Sequence, residues 1–294
     1  MLIRPMGFFT PQPEDSGSYL LDDYPGAIAA WSICRKLKTD YSGNCIRVSK
    51  DDNSTIDSEQ DIGFDGDGNL DLSALTTFIG SDYGRVVKVY DQSGNGNDLE
   101  LAWPHSGITP TVADDPTIIN AGTTYEVNDK PAVSNPSDVT MWQTKDPIQD
   151  AVVWHFSVQR YDDPQTPVVV YPYAARVDMG NTNQYYMKVK TGASVSYSDV
   201  GSSLSVYKNG GSSIADLSIN SMGDTFVTSE QTLCVVGDLD FTDVKWDDGM
   251  QIRGWNQDYG PNIFYFQEHI FWNSDQAANR AGISDNINTY YAIY

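Results

Sequence analysis

The chain has 294 residues, of which 40 are Asp or Glu and 18 are Lys or Arg, so its formal net charge is −22. A charge of this sign repels phosphate backbones and anionic membrane surfaces, which argues against nucleic acid or a membrane as the partner. Aromatic residues make up 12% and charged residues 20% of the chain, a balance that favours strands over long solvated helices. We therefore expect one mostly β domain.

The cysteines and the N-terminal residues bear on the compartment. Cys34, Cys45 and Cys234 are an odd number in a long chain, which is not typical of a disulfide-stapled secreted domain. We expect buried, reduced thiols, with a Cys34–Cys45 bridge as the alternative. Residues 1–9 lack the apolar run and cleavage site of a secretion signal. These features predict synthesis in a cytoplasm without membrane insertion.

Residues 1–24 are predicted to form an N-terminal arm, followed by the main domain over residues 25–294. The segment is too short and too rich in proline for a core element. Its apolar residues would dock on a neighbouring subunit or another partner protein, namely Leu2, Ile3, Phe8 and Phe9. The alternative is that the segment folds back on its own domain.

The first elements of the main domain are predicted from capping residues and periodicity. Pro25, at a first helical position before an apolar run, predicts a helix that ends near Thr39. Residues 45–50 alternate as a strand does. Asp71 is placed to cap a short amphipathic helix over residues 72–79, and Gly80 is placed to end it.

A β-branched run over residues 85–89 predicts a strand that ends in a polar turn over residues 90–99. Glycines in this turn permit positive φ, and its Asp and Asn side chains can bond their own backbone. Further along, short apolar runs separated by turn residues are typical of a sandwich. These runs cover residues 152–158, 167–173, 185–189, 204–207, 232–236 and 263–272.

Two further signals lie near the C-terminus. Lys208-Asn209-Gly210-Gly211 predicts a hairpin turn. Ser274 and Asp275 are placed to cap a helix that runs toward Tyr290, with Ala277, Ala278, Ile283 and Ile287 available for packing.

Several of these segments together resemble a known family. They are Tyr24-Pro25-Gly26-Ala27, Gln60-Asp61-Ile62-Gly63-Phe64, Gly68-Asn69-Leu70-Asp71, residues 90–99, Tyr265-Phe266-Gln267-Glu268-His269-Ile270 and Asn273-Ser274-Asp275-Gln276. The chain resembles the catalytic domain of α-L-arabinofuranosidase B, and resembles more closely the bacteriophage and prophage virion proteins that carry a version of that domain. The resemblance implies a concanavalin A-like jelly-roll β-sandwich.

The resemblance also implies where catalytic carboxyls would lie. A retaining glycosidase needs two carboxyls about 5–5.5 Å apart. The strand that holds the nucleophilic Glu in the arabinofuranosidases corresponds to residues 185–189, where Lys188 takes its place, and no Glu lies between Glu126 and Glu230. The position of the acid/base corresponds to Asp258. Because one carboxyl cannot run a double displacement, we predict no catalytic residue, with Asp258 reserved for a hydrolase alternative.

The loop around Asp258 is the predicted ligand-binding site. Aromatic rings that can stack on a sugar stand beside groups that can bond its hydroxyls, and loops on a rigid sandwich commonly carry such sites. The candidates are Trp255, Asn256, Asp258 and Tyr259, with Trp246 and Asp247 as a second cluster. Ordinary loop packing is the alternative.

Other polar residues are predicted to be structural. Glu268 lies in an apolar strand and is expected to be a buried carboxylate. His105, His155 and His269 have no spacing typical of a triad or metal site. Residues 65–71 alternate oxygen ligands as a calcium loop does. However, an EF-hand needs Gly at the sixth position and Glu at the twelfth, where this chain has Leu70 and Thr76. We expect a turn here and no cofactor, and leave open a structural divalent cation.

Taken together, these features predict a non-enzymatic phage virion structural protein present in several copies, as a tail, fibre-base or capsid (head) decoration component. It would dock on other virion proteins and copies of itself through the N-terminal arm, and its outward loops would bind host glycans. The alternatives are an arabinofuranosidase-like glycoside hydrolase and a free carbohydrate-binding module.

Overall fold

The computed structural model describes residues 19–102, 111–135, 141–145, 152–161, 169–175, 185–190, 205–213, 230–240, 250–252 and 264–294. Its helices are α1 Leu20–Asp23, α2 Leu72–Ile79 and α3 Arg280–Tyr291, with a 3-10 turn at Val112–Asp114. Its strands are β1 Ala27–Ser32, β2 Ile46–Asp51, β3 Ile56–Ile62, β4 Tyr83–Val89, β5 Leu99–Ala102, β6 Thr117–Asn120, β7 Thr123–Thr124, β8 Glu126–Val127, β9 Lys130–Pro131, β10 Val133–Asn135, β11 Met141–Thr144, β12 Val152–Tyr161, β13 Val169–Ala175, β14 Tyr185–Lys190, β15 Ser205–Lys208, β16 Thr232–Asp240, β17 Met250–Ile252 and β18 Phe264–Trp272. All six runs predicted as strands between residues 152 and 272 are strands.

Except for the β8–β9 pair, the described strands form one antiparallel sheet with the main order β14-β13-β17-β11-β5-β4-β6-β10-β18-β12-β16-β15. Strands β2 and β3 continue outward from β4, and β1 pairs with β18. Trp142 of β11 packs on Phe266 of β18, with ring centroids 5.3 Å apart. Strands β5 and β6 pair with different parts of one edge of β4, the edge opposite β2, so the sheet divides there into two branches, and the contact between Trp142 and Phe266 packs one branch against the other. The sheet therefore folds over into two layers, and the predicted mostly β jelly-roll sandwich is confirmed.

The core between the layers is rich in tryptophan. Trp142, Trp154 and Trp272 are among the largest fully buried side chains, together with Phe156 and Phe266. The ring of Phe156 meets that of Trp272 edge to face, with centroids 5.4 Å apart, a geometry that aromatic pairs favour. These contacts hold strands β11, β12 and β18 against one another, and β18 begins at the candidate site.

The helix predicted from Pro25 to Thr39 is wrong, because Ala27–Ser32 is strand β1. This strand pairs with β18 from Ala27 opposite Trp272 to Ser32 opposite Glu268, and all but one of its residues are buried. A short apolar run buried on both faces has no alternation to distinguish it from a buried helix. Pairing with β18 outweighs the helix propensity of the alanines.

The predicted polar turn after β4 is confirmed, and it covers the free edge of β1. Asp91 Oδ1 accepts the N–H of Ala30 at 2.9 Å, and the N–H of Gln92 donates to the carbonyl of Ala30 at 2.8 Å. The side-chain amides of Asn95 and Asn97 donate to the carbonyl of Ile28 at 3.1 and 2.7 Å. The turn thus supplies the backbone bonds that a neighbouring strand would make.

Helix α2 forms as predicted, with the Asp71 side chain accepting the N–H of Ala74 at 2.8 Å and Gly80 at the C-cap. The C-terminal helix begins at Arg280, later than predicted, although Asp275 does accept the N–H of Ala277. Ile283 and Ile287 of this helix are buried as expected, whereas Ala277 and Ala278 are exposed.

The turn at residues 208–211 forms, with positive φ at Asn209 and Gly210 and a 2.9 Å bond from Gly211 N–H to the carbonyl of Lys208. It does not close a tight hairpin, because β15 pairs with β16, in which Cys234 lies opposite Lys208. All three cysteines are free and buried, as predicted.

At the N-terminal side, the described structure begins at residue 19. Leu20 and Leu21, within the predicted arm, are 1% and 3% exposed and belong to the core. Residues 1–18, with Leu2, Ile3, Phe8 and Phe9, lie outside the described part, so docking through them stays a prediction. No helix in the described ranges is long and apolar enough to cross a membrane.

Candidate functional site

The sheet register places strand β14, which corresponds to the nucleophile strand of the resembled family, near the end of β17, the last described residue before the segment with Asp258. Tyr186 of β14 and Gln251 of β17 both lie opposite Ala174 of β13. Strands β14 and β17 therefore run in the same direction, two strand spacings or about 10 Å apart. Lys188, two residues beyond Tyr186, is level with the point at which β17 ends. Strand β14, with Lys188 in place of the nucleophilic Glu, thus runs level with Ile252, after which the segment with Asp258 begins.

The other end of that segment reaches the opposite layer. Strand β18 begins at Phe264, opposite Asn135 of β10 and Tyr161 of β12. Residues 253–263 therefore connect the two layers at one end of the sandwich. We call this end the loop rim and define it by three described strand ends, Ile252, Phe264 and Lys190. Tyr161, the last residue of β12, also lies here because it pairs with Phe264, and Val169, the first residue of β13, lies here because it pairs with Lys190.

The predicted ligand-binding residues lie outside the described part of the chain. Trp255, Asn256, Asp258 and Tyr259 belong to the segment between β17 and β18, whose two ends form the loop rim. Trp246 and Asp247 come shortly before Met250, the first residue of β17, whereas the loop rim lies at the last residue of this strand, Ile252. Of the two predicted ligand-binding clusters, the described strand ends therefore favour the one around Asp258 as the cluster near Lys188 of β14. The role of each side chain stays a prediction.

A row of polar residues crosses the second layer toward β17. The ladder sets Asp61, Arg47, Lys88, Glu100, Gln143 and Gln251 opposite one another in sequence across β3, β2, β4, β5, β11 and β17. Residues directly opposite in a ladder lie on the same face. The first five are partly or fully exposed, whereas Val89, Leu99 and Trp142 on the other face are buried. This row gives the layer a polar outer surface.

Charges in the row are paired. Arg47 donates twice to the carboxylate of Asp61, at 2.7 and 2.9 Å, and Tyr90 OH donates to it at 2.7 Å. The hydrogen bonds from Arg47 lower the pKa of Asp61, with a smaller effect from Tyr90. Lys88 Nζ lies 2.8 Å from Asp98 and 3.0 Å from Glu100. Asp61 therefore stays ionised and is unsuited to donating a proton.

Glu268 is buried, as predicted. Its carboxylate is 1% exposed and forms two 2.9 Å hydrogen bonds with Arg35. Tyr291 OH donates to the same carboxylate at 3.1 Å. Burial by itself would lower the pKa of Arg35, but the charge of Glu268 and its hydrogen bonds raise it above the ordinary value. This group ties β18 to the segment after β1 and to α3, so we assign it a structural role.

Two of the histidines meet in the core, which their sequence spacing did not indicate. His155 Nε2 and His269 Nδ1 are 2.9 Å apart on adjacent strands β12 and β18. Burial lowers the pKa of both rings, that of His269 to about 3. The pair is therefore neutral and belongs to the core. Only the pairing of β12 with β18 could have revealed it. His105 lies outside the described residues.

The turn at residues 65–71 is confirmed. Asp65 Oδ1 accepts the N–H groups of Asp67 and Asn69 at 3.0 and 2.8 Å, and Asp71 is the cap of α2. The carboxylates of Asp65 and Asp71 thus accept backbone N–H groups and stabilise the turn and the start of α2. Across the described ranges, no three His, Cys, Asp or Glu side chains are grouped to hold a metal ion. Binding of a structural cation stays untested.

Comparison with known proteins points to a glycosidase domain. Residues 21–135 match the family model "Alpha-L-arabinofuranosidase B, catalytic". The fold is similar to an arabinofuranosidase complexed with arabinofuranosyl-α-1,2-xylobiose, at 17% identity and a TM-score of 0.57. It is also similar to a GH54 α-L-arabinofuranosidase soaked with a cyclic sulfate inhibitor, at 16% identity and a TM-score of 0.54. Each alignment covers 89% of this chain and 62% of the other. No curated protein matches by sequence.

These findings correct the functional prediction. The matched family model describes a catalytic domain, and the similar structures are of arabinofuranosidases. The prediction of a non-enzymatic virion structural protein is therefore wrong. Nothing in the comparisons indicates a phage origin. Lys at position 188 excludes a nucleophile at that position only, and leaves open a carboxyl from another part of the chain. The structural likeness, at such low identity, establishes the fold alone.

Proposed function

We propose that this chain is a glycoside hydrolase of the arabinofuranosidase type, which removes α-L-arabinofuranosyl units from a xylan-like main chain. The match of residues 21–135 to a catalytic-domain family carries the proposal. The substrate class follows from the arabinofuranosyl-xylobiose bound in a similar structure. The loop rim supports it, because there the β14 strand and the ends of the Asp258 segment come together.

Asp258 is the proposed general acid of the reaction. Protonated, it would donate a proton to the glycosidic oxygen as the bond to the sugar breaks, and then, ionised, accept one from the attacking water. Loops on a rigid sandwich suit this role, since the strands fix their ends while the loop surrounds the sugar.

The second carboxyl cannot come from position 188, which holds Lys in this chain. We propose Asp162 or Asp163, which directly follow Tyr161 at the loop rim. Tyr161 pairs with Phe264, the residue at which the Asp258 segment rejoins the sheet. A carboxyl at this point would enter the same space as Asp258 from the neighbouring strand, whereas the described carboxylates Asp61 and Glu100 are paired with cations.

The test compares two substrates in wild type and in Asp258→Asn. Loss of a general acid lowers the rate by about 10²- to 10⁴-fold on arabinoxylan, whose leaving group needs a proton. The loss should be much smaller for formation of the glycosyl-enzyme from 4-nitrophenyl α-L-arabinofuranoside, because nitrophenolate leaves unprotonated. Added azide should restore turnover of the nitrophenyl substrate, since azide needs no general base.

Asp57→Asn, an exposed change on β3, is the matched control and should keep wild-type rates. In parallel, Asp162→Ala and Asp163→Ala identify the second carboxyl. Only loss of the nucleophile should abolish hydrolysis of both substrates, and azide should then react with the nitrophenyl substrate to form an arabinosyl azide. A folded wild-type chain that hydrolyses neither substrate would overturn the proposal.

A further inference from the structure

A polar cleft of about 390 Å³ lies just beyond the end of β3, at the opposite edge of the second layer from β14. From β3 to β14 the layer spans about seven strand spacings, or roughly 30 Å. The cleft is therefore separate from the loop rim. Its volume falls within the range of about 300–1,000 Å³ that is usual for small-molecule sites.

Three aromatic rings line the cleft, Tyr19, Tyr41 and Phe64. Tyr41 meets Phe64 edge to face, with centroids 6.1 Å apart, and its hydroxyl donates to the carbonyl of Asn44 at 2.8 Å. Burial raises the pKa of Tyr41, so the hydroxyl keeps its proton and this bond. The ring of Tyr41 is therefore held in place before any ligand arrives.

Glycines make room for these rings. A Cβ at Gly43 would lie 2.5 Å from the hydroxyl oxygen of Tyr41, and a Cβ at Gly68 would lie 2.6 Å from that of Tyr19. Gly68 also has a φ of +79°, which other residues rarely adopt. Larger residues at these positions would displace the tyrosines, so the shape of the cleft depends on both glycines.

The polar groups of the cleft carry one charge of each sign. Lys36 Nζ donates to the carbonyl of Thr39 at 2.8 Å and lies 5.6 Å from the centre of the Tyr19 ring. An ammonium has three donors, so Lys36 has further protons to offer. Asp65 uses Oδ1 for its own turn, and Oδ2 has no hydrogen-bond partner among the described residues. This balance favours neither an anion nor a cation.

We infer that the cleft is an accessory carbohydrate-binding site, which holds a neutral sugar unit of the polysaccharide main chain. A sugar ring has an apolar face that stacks on tyrosine and hydroxyls that bond Lys36, Asp65 and the exposed backbone of the glycines. The choice of arabinoxylan as the polymer rests on the proposed function, whereas the neutral-sugar chemistry rests on the cleft itself. A polymer could occupy the cleft and the loop rim together, and a monosaccharide substrate could not.

The experiment is affinity electrophoresis of the full chain through gels that contain soluble arabinoxylan. Tyr41→Ala removes the stacking face. Gly66→Leu adds a bulky apolar side chain to the lining of the cleft, and its Cβ meets no atom within 4 Å. Both variants should bind the polymer about tenfold or more weakly, the effect of losing about 1.4 kcal/mol. Ser58→Leu, which adds the same group at an exposed site on β3, should migrate as wild type.

Two further measurements separate this inference from the proposed function. Hydrolysis of 4-nitrophenyl α-L-arabinofuranoside should be unchanged in both cleft variants, since this substrate needs only the loop rim. Polymer binding that depends on Tyr41 and Gly66 in a chain without hydrolase activity would uphold the cleft and reject the hydrolase. Wild type that is not retarded, or folded variants that bind as wild type does, would overturn the cleft assignment.

Discussion

Replacing Glu268 by Gln should destabilise the protein strongly, because it removes the charge that compensates a buried guanidinium. The side chain of Arg35 is only 10% exposed. Its remaining contacts are a 2.9 Å bond to Asn286 and the rings of Tyr290 and Tyr291 at 4.8 and 5.7 Å. These groups can orient the guanidinium, but none of them carries a negative charge.

The expected loss follows from the burial of the pair. Removing one partner of a buried ion pair costs about 3–5 kcal/mol, because the other charge is left uncompensated. For a domain of this size, each kcal/mol lowers the melting temperature by roughly 2 °C, so the variant should melt about 6–10 °C lower. Replacing both residues by apolar ones, as in Arg35→Met with Glu268→Leu, should cost less than the sum of the single changes.

The assay is urea unfolding followed by tryptophan fluorescence, with thermal unfolding as a second measurement. Glu59→Gln, at an exposed position on β3, is the matched control and should change the free energy of unfolding by less than about 0.5 kcal/mol. If Glu268→Gln lost no more than about 1 kcal/mol, or if the double variant showed additive losses, the pair would not be coupled as the geometry requires.

Two further changes test the local structure. Asp71→Ala removes the bond to the N–H of Ala74 and should lower the free energy of unfolding by about 1 kcal/mol, whereas Asp71→Asn should retain most of it; equal losses in urea unfolding would contradict a capping role. His155 and His269 have lower pKa values in the folded state than in the unfolded state, so below pH 6.5 the unfolded state binds more protons. Their contribution to the free energy of unfolding is therefore complete above about pH 6.5 and is lost as the pH falls. Each histidine should lower the free energy of unfolding by up to about 1.4 kcal/mol for every pH unit below 6.5. Urea midpoints that decline with falling pH as steeply in His269→Gln as in wild type would refute this.

The sequence predicted those elements whose signals are local. Helix α2 was found with its cap because Asp71 and Gly80 act on their own neighbours. Strands β12 to β16 and β18 were found because their apolar runs are separated by turn residues, whereas the three-residue strand β17 was not predicted. The same local reading failed for β1, whose state depends on pairing with β18.

The candidate site was harder to predict because its parts are far apart in the chain. Asp258 and the strand of Lys188 could be compared only through an alignment, and no local signal says that β14 and β17 flank the same strand. The cleft beside β3 was missed for another reason. Residues 65–68 were interpreted only as part of a turn, and nothing in the sequence shows that Tyr19 and Tyr41 line the same cleft.

The turn that follows β4 has a consequence for association between molecules. An uncovered strand edge offers unpaired backbone groups to any other extended chain, and such edges promote aggregation. In this protein Asp91, Asn95 and Asn97 occupy those groups along β1. These side chains thus bond the backbone groups of β1 as a neighbouring strand would, but they present no new strand edge to solvent. The turn therefore blocks this edge of β1 from pairing with another chain, and loss of its asparagines should first appear as self-association at high concentration.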